Sequence, residues 1–89
     1  MNEAPKLDFT TFILSVGSAA FMGLGISPPG SDEAPQTNLE LARQNIDLLE
    51  LISEKTKGNR TPEEERLLEQ LLFETRMRYV ETLRKTKNQ

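Results

Sequence analysis

Apolar residues recur along this chain at helical spacing, and no stretch alternates apolar with polar positions as a half-buried strand would. With each residue about 100° from the last, Phe9, Phe12, Ile13, Val16, Ala20, Gly23 and Leu24 share one arc. Thr11, Ser15, Ser18 and Met22 lie opposite, with Leu14 and Phe21 between. A second run sets Leu39, Ala42, Ile46 and Leu49 on one strip and Leu41, Leu48 and Ile52 on an adjacent one, leaving Arg43, Asp47, Glu50 and Glu54 opposite. The third run carries two stripes, Leu68, Leu71, Leu72, Thr75, Tyr79 and Leu83 on one line and Phe73, Met77 and Val80 on another. These patterns predict helices near 9–24, 39–57 and 62–85, and an all-α fold.

The punctuation agrees with the periods. Asp8 can cap the first helix and Gly25 can stop it. Thr37 or Asn38 opens the second, with Glu40 placed to close a capping box on Thr37, and Gly58 ends it after Lys55 and Lys57. Thr61-Pro62-Glu63-Glu64 opens the third, with Thr as cap, Pro in the first helical position and Glu64 closing the box. Residues 1–7 then form a flexible lead, 8–25 an apolar helix and 26–37 a linker whose prolines deny it helix hydrogen bonds. Residues 38–86 form a long antiparallel helical hairpin broken at Gly58-Asn59-Arg60, and 87–89 a tail, all within one domain.

The expected hairpin is uneven. The third helix, at roughly 36 Å, outruns the second, at roughly 28 Å, so Tyr79, Val80 and Leu83 need cover from the first helix or from a second copy of the chain. The first helix has no charge after Asp8. A face of Thr, Ser and Met in place of charges implies that both sides of that helix meet protein. Homo-oligomerisation, most simply a dimer, completes such a fold, and the candidate interface is Phe9, Phe12, Ile13, Val16, Phe21, Phe73, Met77 and Val80.

Composition narrows the chemistry. The chain has 89 residues with neither His nor Cys, which removes Cys/His zinc sites, haem ligation, thiol nucleophiles and imidazole acid–base catalysis. No Gly-rich loop leads into a Lys-Ser/Thr helix start to cradle phosphate. The acids fall on outward faces or at a helix start, where they cap and solvate, and Glu74 with Arg78 and Glu81 with Lys85 read as i, i+4 surface pairs. No enzyme, cofactor, metal or small-molecule substrate is expected.

Three readings compete for the first helix. A membrane span needs about 20 mostly apolar residues with basic flanks, and an export signal needs a basic start. This stretch is shorter, carries three hydroxyls on one face and follows Glu3, Lys6 and Asp8. A helix buried in protein fits best, ahead of a helix lying on a membrane surface and of an exported or spanning one.

A net charge of −3 argues against a general nucleic-acid binder. Residues 1–57 nevertheless carry four bases against eight acids, whereas residues 76–89 carry Arg76, Arg78, Arg84, Lys85 and Lys87 against Glu81 alone. That cluster is the candidate contact for RNA or an acidic partner, although basic residues at a helix C-terminus also serve the helix dipole and solubility.

The phrases Asp8-Phe9-Thr10-Thr11-Phe12-Ile13-Leu14-Ser15, Leu39-Glu40-Leu41-Ala42-Arg43-Gln44-Asn45-Ile46-Asp47, Thr56-Lys57-Gly58-Asn59 with Thr61-Pro62-Glu63-Glu64-Glu65, and Met77-Arg78-Tyr79-Val80 occur in that order. In these the chain resembles the small bacterial family catalogued as domain of unknown function eighteen forty-four, over nearly all of residues 8–82. The resemblance implies a bacterial, helical, cytoplasmic protein with no assigned activity and no catalytic residues to carry over. Neighbouring translation genes in some lineages add a faint pointer to the RNA side.

The expected function is therefore that of a non-enzymatic structural or adaptor protein, acting through association with itself and with an unidentified protein partner. An RNA- or ribosome-associated accessory using the basic helix end is the alternative, and peripheral membrane association through the first helix the second alternative.

Overall fold

A computed structural model describes residues 7–27 and 35–87 as three helices: α1 (Phe9–Gly23), α2 (Leu39–Lys55) and α3 (Pro62–Lys87). No strand occurs among the described residues. The expected lead apart from Leu7, the proline-rich centre of the expected linker at 28–34, and residues 88–89 of the expected tail lie outside them.

The helix starts follow local chemistry. The Thr11 amide donates to Asp8 Oδ1 at 2.8 Å. At α2 the cap is Asn38, whose Oδ1 accepts from the Leu41 amide at 3.1 Å, so the box expected between Thr37 and Glu40 is not the one that forms. The box at α3 closes in both directions, with the Glu64 amide donating to Thr61 Oγ1 at 3.1 Å and the Thr61 amide to Glu64 Oε1 at 2.8 Å. Gly58 stands at φ +86 after α2, a left-handed conformation that a side chain would resist.

The three helices run up, down, up. Gly17 lies against Leu71, and Phe21 and Met22 share a cavity wall with Glu74 and Arg78, so later residues of α1 meet later residues of α3. Gly23 meets Ala42 instead, where the Asn38 amide donates to the Gly23 carbonyl at 2.7 Å and ties the end of α1 to the start of α2. Between α2 and α3, Glu50 meets Arg76 while the earlier Arg43 and the later Tyr79 border one hollow.

Ile13 and Val16 from α1, Leu49 and Ile52 from α2, and Leu68, Leu71 and Leu72 from α3 form the core, with Phe9, Phe21 and Leu67 packed at its edge. Thr75 is fully buried among them, and its hydroxyl is satisfied by donation to the Leu71 carbonyl at 2.7 Å. Helices of 15, 17 and 26 residues are roughly 22, 26 and 39 Å long. The last turns of α3 therefore outrun their neighbours, and Tyr79 and Leu83, expected on its buried line, are only half-buried.

Candidate functional site

The inner and outer sides of α3 are both apolar. Leu68, Leu71, Leu72 and Thr75 enter the core. Phe73, Met77 and Val80 lie roughly 130–170° around the helix from that line, and are 66%, 43% and 47% exposed. With Glu69, Leu72 and Arg76 they line an open hollow of about 390 Å³ along the outer face. A second hollow, of about 350 Å³, adjoins it between α2 and α3 and is bounded by Arg43, Ile46, Tyr79 and Val80 among others.

The other candidate interface residues are placed differently. Ile13 is fully buried and Val16 is 6% exposed, both in the chain's own core, so neither presents a surface to a second copy. Phe9 and Phe21 are half-buried against that core. Phe12 remains exposed at 39%. The sequence pattern marks all five as apolar but cannot separate those that meet another helix of the same chain from those that do not. The Thr, Ser and Met face expected to meet protein is exposed in this chain, with Thr11, Ser15, Ser18 and Met22 all at the surface. Short polar side chains solvate a helix face without charge, as where the Ser15 hydroxyl donates back to the Phe12 carbonyl at 2.8 Å.

The basic residues do not converge on one surface. Arg76 donates through Nε and Nη2 to Glu50 Oε2 at 2.9 and 2.8 Å, a contact across to α2. Arg78 lies on the α1 side of α3, where with Glu74, Ser18, Phe21 and Met22 it lines a cavity of about 280 Å³. Lys87 follows the side of Arg76, Lys85 the side of Arg78, and Arg84 the line of Met77 and Val80. Neither Glu74–Arg78 nor Glu81–Lys85 is among the ion pairs of the described residues, which are Arg43–Asp47, Arg60–Glu65 and Arg76–Glu50. Exposed i, i+4 pairs are worth only a few tenths of a kcal/mol, so such pairs form at some positions, as at Arg43–Asp47, and not at others.

Arg60, read from the sequence only as part of a break, is an organising residue. Its side chain is 10% exposed and donates from Nη1 to the Ser53 carbonyl at 2.6 Å and to Thr56 Oγ1 at 3.1 Å. Nη2 reaches Glu65 Oε1 at 3.4 Å. One guanidinium thus ties the last turn of α2 to the first turn of α3. The legible signal was a cation placed between the carbonyl end of one helix and the acidic start of the next.

Arg43 and Tyr79 border the same hollow between α2 and α3, and the Arg43 guanidinium is held above its ordinary value first by the Tyr79 side chain and then by Asp47. Among the described residues no group of three acidic side chains is placed to hold a metal ion. No helix among them is long and apolar enough to cross a membrane.

A family model described as Domain of unknown function (DUF1844) matches residues 6–81. No curated protein and no solved structure matches the chain.

Proposed function

The chain belongs to this family of unknown function, and from that premise we propose that it is a non-enzymatic structural or adaptor protein of the cytoplasm that associates with itself through the outer face of α3. The observation that supports this reading is the stripe of Phe73, Met77 and Val80, which has no partner among the described residues although the opposite side of the same helix is used by the core. A contiguous apolar patch with an aromatic at 66% exposure, rimmed by Glu69 and Arg76, is the kind of surface at which proteins dock. Self-association removes that line from water and leaves α1 and the opposite side of α2, with exposed Phe12, Leu41, Leu48 and Leu51, to an unidentified protein partner.

Light scattering of the full chain tests this. A dimer or higher oligomer at tens of micromolar is expected, with Phe73→Glu or Met77→Glu monomeric at unchanged helicity. A wild-type chain that stays monomeric there overturns the reading. Capture of partners from the native cell separates it from the RNA alternative, because phosphate contacts weaken steeply with salt whereas apolar docking does not.

A further inference from the structure

Phe73, the most exposed residue of the stripe, is a knob. Val80, seven residues on and about 10.5 Å along the same line, borders the hollow of about 350 Å³ between α2 and α3. The charges around that hollow are already paired within the chain, Arg76 with Glu50 at 2.8 Å and Arg43 with Asp47 at 3.6 Å. An aromatic ring entering there leaves no ion unpaired and meets guanidinium planes that favour it.

Knob and hollow on one face of one helix suit a two-fold axis, in which residue i of one copy meets j of the other and j meets i. The point midway between positions 73 and 80 lies beside Met77. An axis there also brings Glu69 opposite Arg84 of the other copy, and both lie along the stripe without an ion pair in their own chain among the described residues. The next pair outward, Arg66 with Lys87, is of like sign, so the complementary stretch ends at 69 and 84. A parallel arrangement sets knob on knob, Glu69 on Glu69 and Arg84 on Arg84.

We propose that a second copy occupies this face, its α3 packed antiparallel across a two-fold axis at Met77, with each Phe73 entering the other copy's hollow beside Val80 and Glu69 pairing with Arg84 at both ends. This rests on the self-association reading and adds its register. The exposed parts of Phe73, Met77 and Val80 amount to on the order of 300 Å² per copy for side chains of this size. Two copies together bury about 600 Å² of it, the apolar centre of a small interface of the weak, reversible kind.

The chain has no cysteine, so single cysteines report distance cleanly in the full-length protein. Met77→Cys lies on the axis and is expected to form a disulfide dimer under mild oxidation at least tenfold more readily than Glu69→Cys alone. Two copies of position 69 stand about 22 Å apart along the helices, beyond disulfide reach. Mixing Glu69→Cys with Arg84→Cys is expected to restore cross-linking, and these variants keep both knob and hollow. Light scattering of the unmodified chain is read alongside. If that chain is monomeric, the self-association reading fails and the register with it. If it associates but Glu69→Cys links to itself as readily as Met77→Cys, the association stands and the antiparallel register is overturned. Association with no linking at either site places the interface elsewhere and overturns both.

Discussion

Gly23 ends α1 directly against the backbone of Ala42: a Cβ at position 23 would lie 2.7 Å from the Ala42 nitrogen and 3.0 Å from its Cα. The first turn of α2 is fixed there by the Asn38 amide on the Gly23 carbonyl at 2.7 Å, so neither helix can step aside.

Gly23→Ala is therefore expected to lower stability by about 2 kcal/mol or more, since overpacking against backbone has no side chain to absorb it. Gly17 offers the contrast. A Cβ there meets Leu71 Cδ2 at 2.9 Å, the far end of a flexible side chain, and the gain in helix propensity of about 1 kcal/mol offsets the shift. Gly17→Ala should stay within about 1 kcal/mol of wild type in urea denaturation. Equal losses in the two variants would mean that the α1–α2 approach is looser than described.

This contrast also locates what the sequence could reveal. The helix ends were legible because their signals lie within four residues of chain: Asp8 with Thr11 and Thr61 with Glu64 need no tertiary knowledge. The outer stripe of α3 was legible for a similar reason, since one helix with two apolar lines can turn only one of them inward. The assignment of Ile13 and Val16 to the chain's own core was not legible, nor was the pairing of Arg76 with Glu50 26 positions away. Both depend on which face of α1 and α2 is turned toward α3, and wide apolar arcs leave that rotation open. Arg60 escapes the pattern because the partners that hold it most closely, the Ser53 carbonyl and the Thr56 hydroxyl, carry no charge to flag them, while Glu65 is met only at 3.4 Å.

Arg60→Ala removes a charged donor from the Ser53 carbonyl at the turn between α2 and α3. A charge-assisted bond at a site with 10% exposure supports a loss of about 1.5–3 kcal/mol. Arg60→Lys should recover only part of it, because one ammonium cannot serve Ser53 and Thr56 on one side and Glu65 on the other as the two guanidinium nitrogens do. Chemical denaturation followed by helicity measures both, and an Arg60→Ala chain within 0.5 kcal/mol of wild type would deny this turn its clamp.

Arg76 and Glu50 present the opposite case. Their side chains are 54% and 43% exposed, so water and salt screen the pair in spite of its 2.8 Å separation. A double-mutant cycle with Glu50→Gln and Arg76→Gln is expected to give a coupling of about 0.2–1 kcal/mol that shrinks as salt is raised. A coupling well above that, unchanged by salt, would require the pair to be covered in solution.

Asp8 gives the fold a local dependence on pH. Its carboxylate accepts from the Thr11 amide at 2.8 Å, and that backbone hydrogen bond is the main reason its pKa lies below the ordinary 3.8. A folded-state value below the unfolded one means that the unfolded chain binds its proton first as pH falls. The capping contribution is therefore complete above about pH 4 and is lost as pH drops through the lower folded value. Asp8→Asn keeps an acceptor for the Thr11 amide but has nothing to titrate, so its cap is independent of pH in this range. The Thr11 amide resonance reports the bond directly. In the wild-type chain it should titrate on acidification and lose its hydrogen-bonded shift below the ordinary carboxylate range, while in Asp8→Asn it should stay flat. The same titration in both chains would assign the effect to another carboxylate and leave α1 without this cap.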